Sequence, residues 1–494
     1  MLAKYLLGID IGSSSVKTAL LDIATGSPAA SAFSPSNEMP MISKKPGFAE
    51  QDPELWWNEL INSLALLRKQ IVFKGDDIAA IGISYQMHGL VCIDKNLQPV
   101  RPSIIWCDSR AVEIGNKAFQ QLGEEFCLSN FLNSPGNFTA SKLKWVKDNE
   151  PELYKKVHKV LLPGDYIALK LTGRPVTTVS GLSEGIMWNY AKNQVATELL
   201  NAYDIDKEVV SETVDTFSEQ GRLEESAASL LGLKAGTPVS YRAGDQPNNA
   251  FSLNVLRPGE IAATAGTSGV VYGVTDKVEY DRASRVNTFV HVNNAANKPR
   301  YGVLLCINGT GILNSWLRKN FFNGMPYNDI NKMAAEVPIG SEGVLIYPFG
   351  NGAERVLENR NPGASIQGLQ FNNHSQAHVA RAAQEGIVFS LYYGVSIMKQ
   401  MGMQVNKVRA GYANMFLSET FADAFANTAE ATVELYDTDG ATGAARAAGI
   451  GAGIYRNFDE SFSGMKKIKT IEPQSERISA YKDAYQKWKE KLIF

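Results

Sequence analysis

The stretch Tyr241-Arg242-Ala243-Gly244-Asp245-Gln246-Pro247-Asn248-Asn249, followed by Ile261-Ala262-Ala263-Thr264-Ala265-Gly266-Thr267-Ser268-Gly269-Val270-Val271-Tyr272, decides the fold of this 494-residue chain. Asp245 follows an apolar run ending in Gly244 and precedes amides and small residues suited to a helix start, where a carboxylate can face a cleft. Ile261 to Ala265 reads as a strand, Gly266-Thr267-Ser268-Gly269 as a turn, and Val270 to Val274 as the returning strand. The turn offers backbone N–H groups and two hydroxyls.

The N-terminus carries a counterpart. Tyr5 to Ile11 reads as a strand, Gly12-Ser13-Ser14-Ser15 as a turn, and Val16 to Leu21 as the second strand. Glycine lets a backbone approach an anion closely, and unpaired N–H groups in a tight turn form an anion-binding concavity. Either turn alone is compatible with an ordinary hairpin. The pair, each beside an acid, favours phosphate and predicts two duplicated halves contributing one turn each to a shared cleft. Asp10 ends the first strand, and a carboxylate beside phosphate calls for a divalent cation, which points to magnesium.

The length argues for two domains of about 240 residues each, divided here as 1–245 and 246–494. With 49 basic and 51 acidic residues there is no general attraction to nucleic acid or anionic lipid, so a small-molecule partner is expected. Cys92, Cys107, Cys127 and Cys306 are scattered, without metal-site spacing or a disulfide framework. No apolar run has the length of a membrane span, and the first apolar run is too short for a signal peptide; the expected location is cytoplasmic.

Between the hairpins, Asp52-Pro53 opens a helix with Leu55, Trp56, Leu60, Leu64 and Leu67 at helical spacing. Ile78 to Ser84 and Leu90 to Asp94 read as strands joined by Tyr85-Gln86-Met87-His88-Gly89, whose Gln and His suit hydroxyl ligands. Ile104 to Arg110 reads as a strand ending in an acid, a hydroxyl and a base, a further ligand-contact candidate. The Thr-, Ser- and Gly-rich segment Thr177 to Glu184 reads as cleft lining. Asn308-Gly309-Thr310-Gly311 opens a helix through Trp316, Gly411-Tyr412-Ala413-Asn414 lies at a strand–helix junction that admits a flat ring, and Ala441 to Gly453 suggests closely packed helix and backbone. His374 and His378, with no third ligand, are taken as a solvated helix face.

The ordered set Gly8-Ile9-Asp10-Ile11-Gly12-Ser13-Ser14-Ser15-Val16-Lys17, Gly244-Asp245-Gln246, Gly266-Thr267-Ser268-Gly269 and Gly411-Tyr412-Ala413-Asn414 resembles the FGGY carbohydrate kinases over essentially the whole chain. Within that family, Phe48 to Trp57, Gln86-Met87-His88-Gly89, Trp106 to Arg110 and Pro135 to Ala140 resemble the branch acting on D-xylulose, whereas glycerol kinases differ at Gln86 to Gly89. The resemblance implies an α/β fold of two duplicated ribonuclease H-like (actin/hexokinase-like ATPase) domains flanking a central cleft. It also implies ATP and Mg2+ as cofactors and a sugar as substrate. By position, Asp245 would be the base; Met87, His88, Asp245 and Gln246 would contact the sugar; Asp10 and Asp245 would hold the metal. Ser13, Ser14, Lys17, Gly266 and Thr267 would hold phosphates, and Gly311, Gly411 and Asn414 would line the nucleotide pocket. A kinase of another ketopentose or polyol, such as L-ribulose, and a nucleotide-dependent sugar sensor remain alternatives, and a homodimer is compatible with the sequence.

Overall fold

The computed structural model describes residues 3–358, 360 and 362–492. Contacts divide the chain into two compact units: Met1–Asn254 with Phe289–Ala296 and Thr438–Met465, and Val255–Thr288 with Asn297–Asp437 and Lys466–Phe494. The first unit therefore extends past the division expected after Asp245 and takes back a helical segment from near the end of the chain.

The first unit is built on a six-stranded sheet. Tyr5–Ile11 (β1), Val16–Asp22 (β2) and Pro28–Ser34 (β3) form an antiparallel meander. Ile78–Tyr85 (β4) pairs parallel with β1, Pro238–Gly244 (β6) pairs parallel with β4, and Phe217–Arg222 (β5) closes the edge antiparallel to β6. Leu6, Leu7, Ile9 and Ile11 are fully buried, the near-continuous apolar reading of a strand covered on both faces. One face is covered by Pro53–Gln70 (α1), whose start is set by Asp52: its carboxylate accepts the Glu54 N–H at 3.0 Å, with Pro53 in the first turn. Trp56, Leu60, Leu64 and Leu67 are buried as the spacing predicts, and Trp57 joins them.

The second unit repeats this scheme. Glu260–Ala265 (β7), Ser268–Thr275 (β8) and Tyr301–Asn308 (β9) form an antiparallel meander. Lys407–Gly411 (β10) pairs parallel with β7, Thr432–Tyr436 (β11) parallel with β10, and Lys467–Ile471 (β12) antiparallel with β11. Meander, two parallel strands and an antiparallel edge recur in the same spatial order, which is the duplication expected from the two hairpins.

Further elements position the side chains considered below: Val179–Glu184 (α2), Asp245–Ser252 (α3), Thr310–Asn320 (α4), Gln376–Gln400 (α5) and Gly440–Gly451 (α6). The small residues of α6 meet the first sheet backbone to backbone. A Cβ added to Gly8 would lie 1.8 Å from the Ala441 carbonyl oxygen, and one added to Gly82 would lie 2.0 Å from that of Ala444. His378 caps the start of α5, its Nδ1 accepting the Ser375 N–H at 3.1 Å and its Nε2 lying 3.1 Å from Glu342, while His374 Nδ1 accepts the Gln370 N–H at 3.0 Å in the preceding turn. No helix of the described residues is long and apolar enough to cross a membrane.

Candidate active site

Three parallel strand ends of the first unit, β1, β4 and β6, bring two acids to one edge of the sheet. Asp10 on β1 stands opposite Ser84 on β4, and Tyr85 stands opposite Gly244 on β6, after which Asp245 begins α3. Open α/β sheets bind ligands beyond the carboxyl ends of their strands. Loss of surrounding solvent, then the charge of Asp10, push the Asp245 carboxyl up to about 7. Dehydration also raises Asp10, with Ser84 opposing it, and its Oδ1 has no hydrogen-bond partner. Gly440 fits because a Cβ there would lie 2.4 Å from Asp10 Oδ2. Asp439 caps α6 through the Thr442 N–H at 2.8 Å and pairs with Lys17, so Lys17 is engaged by a carboxylate from near the other end of the chain.

The loop after β4 is held from below. His88 has φ of 60°, and its Nδ1 lies 2.9 Å from the Glu184 main-chain oxygen, an acceptor to which Nδ1 donates. The ring packs edge-on to Phe138 at 4.8 Å and against Phe289 at 5.4 Å. Beneath it, the fully buried Lys142 ammonium donates to the carbonyls of His88 at 2.8 Å and Ile105 at 3.0 Å. Burial lowers Lys142 from 10.5 to about 8. Between those values the unfolded chain holds a proton that the folded chain has lost, so stability rises with pH through that window. Lys142→Met removes this contribution: the urea midpoint of the natural protein gains on that of the variant between pH 8 and 10.5, by up to about 3 kcal/mol in unfolding free energy. Parallel profiles would show that the ammonium is not dehydrated.

Met87, 4% exposed, packs on Gly244, where an added Cβ would lie 2.6 Å from Met87 Cγ and 2.8 Å from Glu184 Oε2. Met87, His88, Glu184, Asp245 and Gln246 thus gather around the start of α3. Gln86 Oε1, Gln246 Oε1 and both Glu184 carboxylate oxygens are buried without a hydrogen-bond partner, a surplus of acceptors. The sequence marks Glu184 only as the end of a cleft-lining segment; no local pattern singles it out.

The turn after β1 is also held by its neighbours. Trp106 Nε1 donates to Ser13 Oγ at 3.3 Å, Gln51 Nε2 to the Ser13 carbonyl at 2.7 Å, and the Met39 N–H to the Ser14 carbonyl at 2.9 Å. The strand read at Ile104 to Arg110 is shorter, Ser103–Ile104, and its polar end is internal scaffolding. Asp108, fully buried, accepts the Ala49 N–H at 2.6 Å and the Arg110 guanidinium at 2.7 Å, and Arg110 also reaches Glu50 at 2.7 Å. Such a fork consumes the donors and acceptors that a ligand would need.

In the second unit, Gly266, Thr267, Gly311 and Asn414 line one cavity of about 680 Å3. The Gly311 N–H donates to the Gly266 carbonyl at 2.8 Å, and a Cβ on Gly311 would lie 2.2 Å from that oxygen. Gly411 ends β10 outside the cavity lining, and Asn414 has φ of 53°. Trp316 from α4 and Tyr327 add exposed aromatic faces to the wall. Sequence reading took Trp316 only as part of a helix; its position on the outward face was the available signal.

The sequence matches the FGGY family of carbohydrate kinases, the N-terminal domain over residues 5–252 and the C-terminal domain over residues 261–452. It is 28% identical over 491 residues to a xylulose kinase of Bacillus subtilis (strain 168), covering 98% of this chain and 96% of that protein. It is 29% identical over 493 residues to a xylulose kinase of Lactococcus lactis subsp. lactis (strain IL1403), with the same coverage. Its structure is similar to the crystal structure of a xyloylose kinase from Brucella ovis, with a TM-score of 0.86, 25% identity and 98% of both chains covered. Duplicated sheets, the paired acids at the strand ends and these matches together establish that the chain belongs to the FGGY family of carbohydrate kinases, enzymes that transfer a phosphoryl group to a sugar.

Proposed function

We propose that the chain phosphorylates D-xylulose to D-xylulose 5-phosphate with ATP as donor. The observation that carries this reading is the Asp245 carboxyl, raised to about 7 by burial and the charge of Asp10, beside Met87, His88 and Gln246. A carboxylate in that range can take a hydroxyl proton near neutral pH. As the sugar oxygen bonds to the γ-phosphorus, the bond to the bridging oxygen breaks, ADP departs, and the hydroxyl proton passes to Asp245. Met87 and His88 orient the sugar, and the surplus of acceptors around them suits a ligand rich in hydroxyl donors. Ser13, Ser14 and Lys17 after β1, and Gly266 and Thr267 after β7, serve as phosphate contacts, with Gly311 and Asn414 serving the nucleoside side. Trp316 and Tyr327 supply faces on which a purine can stack.

Asp10 and Asp245 fit magnesium: Asp10 Oδ1 is an orphaned buried acceptor, and its charge already acts on Asp245. Magnesium is commonly held by one or two carboxylates together with waters and phosphates, so two acids suffice. When bound, the ion neutralises charge on the phosphates.

ADP release by the purified protein, measured with D-xylulose, L-ribulose, D-ribulose, L-xylulose, glycerol and xylitol, tests the reading. D-xylulose is expected to give the highest kcat/KM. A higher value with another ketopentose or a polyol reassigns the substrate, and no turnover with any of them overturns the kinase reading in favour of a sugar sensor.

A further inference from the structure

We propose that the Glu184 carboxyl is a specificity-determining group, accepting a hydrogen bond from one particular hydroxyl of the sugar held by Met87, His88 and Asp245. The inference rests on the sugar-kinase reading above and deepens it.

Glu184 is 2% exposed and neither carboxylate oxygen closes a hydrogen bond of ordinary geometry, the Tyr85 hydroxyl and the His88 main chain being the donors that act on it. Leaving a buried polar group unmatched is costly, and in a binding site the missing partner is supplied by the ligand. Its Oε2 lies 4.0 Å from His88 Nδ1 and abuts Gly244, the residue before the proposed base.

The carrier is rigid. Ser183 Oγ accepts the Val290 N–H at 3.0 Å, and Ser180 Oγ donates to the Val290 carbonyl at 3.1 Å, so two successive turns of α2 are pinned to one residue. The Glu184 main chain is fixed in turn by His88, so ring and carboxyl keep their spacing. A pocket rejects an analogue strongly only when its polar groups are held where they cannot follow the ligand.

The surroundings define the ligand. Asp245 and Asp165 are the like charges acting on Glu184, and the buried Arg242 guanidinium lies 3.2 Å from Asp165. The site sets the unmatched Gln86 Oε1 and Gln246 Oε1 beside a Glu184 carboxyl that burial, and then the charges of Asp245 and Asp165, hold well above the usual carboxylate range. It suits a neutral polyhydroxyl compound and disfavours aldonic acids and sugars already phosphorylated.

Kinetics of the natural protein, Glu184→Gln and Glu184→Ala with D-xylulose and its singly deoxygenated analogues test this. In the natural protein, one analogue is expected to lose about 100-fold to 10,000-fold in kcat/KM. In Glu184→Ala that analogue and the parent sugar should fall within about threefold of each other, the parent losing about 100-fold, mainly through KM, with KM for MgATP unchanged. Undiminished discrimination in Glu184→Ala, with turnover retained, overturns the proposal and leaves the kinase reading standing. Inactivity of the natural protein on every sugar overturns both. If thermal unfolding shows Glu184→Ala to be unfolded, Glu184→Gln decides: a loss of discrimination of about tenfold or more supports the role, and unchanged discrimination removes it.

Discussion

Asp245→Asn is expected to lower turnover at least about a hundredfold while leaving the affinities for sugar and ATP within a few-fold of the natural protein. The asparagine is isosteric, keeps the start of α3, and retains one acceptor oxygen toward a substrate hydroxyl. In the proposed mechanism it loses the capacity to take the proton as the sugar oxygen bonds to phosphorus. Dehydration and the charge of Asp10 raise the Asp245 carboxyl to about 7, which would make it a stronger base than an aspartate at 3.8, as the proposed role requires. Steady-state kinetics with D-xylulose, alongside calorimetric binding of the sugar, separate the two effects. Turnover within about threefold of the natural protein would remove Asp245 from the base role.

Gly8→Val should have the largest effect on stability, at least about 3 kcal/mol in unfolding free energy. β1 and α6 touch there backbone to backbone, with the position of an added Cβ only 1.8 Å from the Ala441 carbonyl oxygen. No rotamer relieves such a clash, because the obstacle is main chain. α6 would have to lift from the sheet, and with it Asp439, partner of Lys17, and Gly440, which backs Asp10. Ala29→Val on the exposed part of β3 is the control, expected within about 0.5 kcal/mol of the natural protein. Urea unfolding measures both, and equal midpoints for the two variants would mean that α6 does not pack on β1 as described. Residual activity of Gly8→Val in its folded fraction also reports whether α6 positions Asp10.

Much of the candidate site was legible in local sequence. Asp10, the Gly12 to Ser15 turn, His88 in its loop, Asp245 at a helix start and the Gly266-Thr267 turn all carry short-range signatures: strand alternation, turn residues, an acid after an apolar run. Other readings shifted on contact with the fold. Asp108 and Arg110 have the composition of a ligand contact but saturate each other, since a fork donor and a carboxylate two residues apart can close on themselves once buried. Gly411 sits at the expected strand end, yet the cavity wall is continued by Asn414 and Trp316.

By itself, the sequence determined the two hairpins, the duplicated α/β plan, the capped start of α1 and the identity of the acids at the strand ends. Those features depend on neighbours within a few residues, where backbone preference and side-chain alternation act directly. Tertiary structure alone decided that α6 returns to the first unit, that Lys17 pairs with Asp439, that Lys142 lies beneath His88, and that Glu184 stands unmatched beside Gly244. Each of these joins residues far apart in the chain, and what selects them is burial: a glycine that admits a helix, a charge that must find its partner once water is gone. Such demands arise only when the chain is folded, so they leave no periodic trace in the sequence.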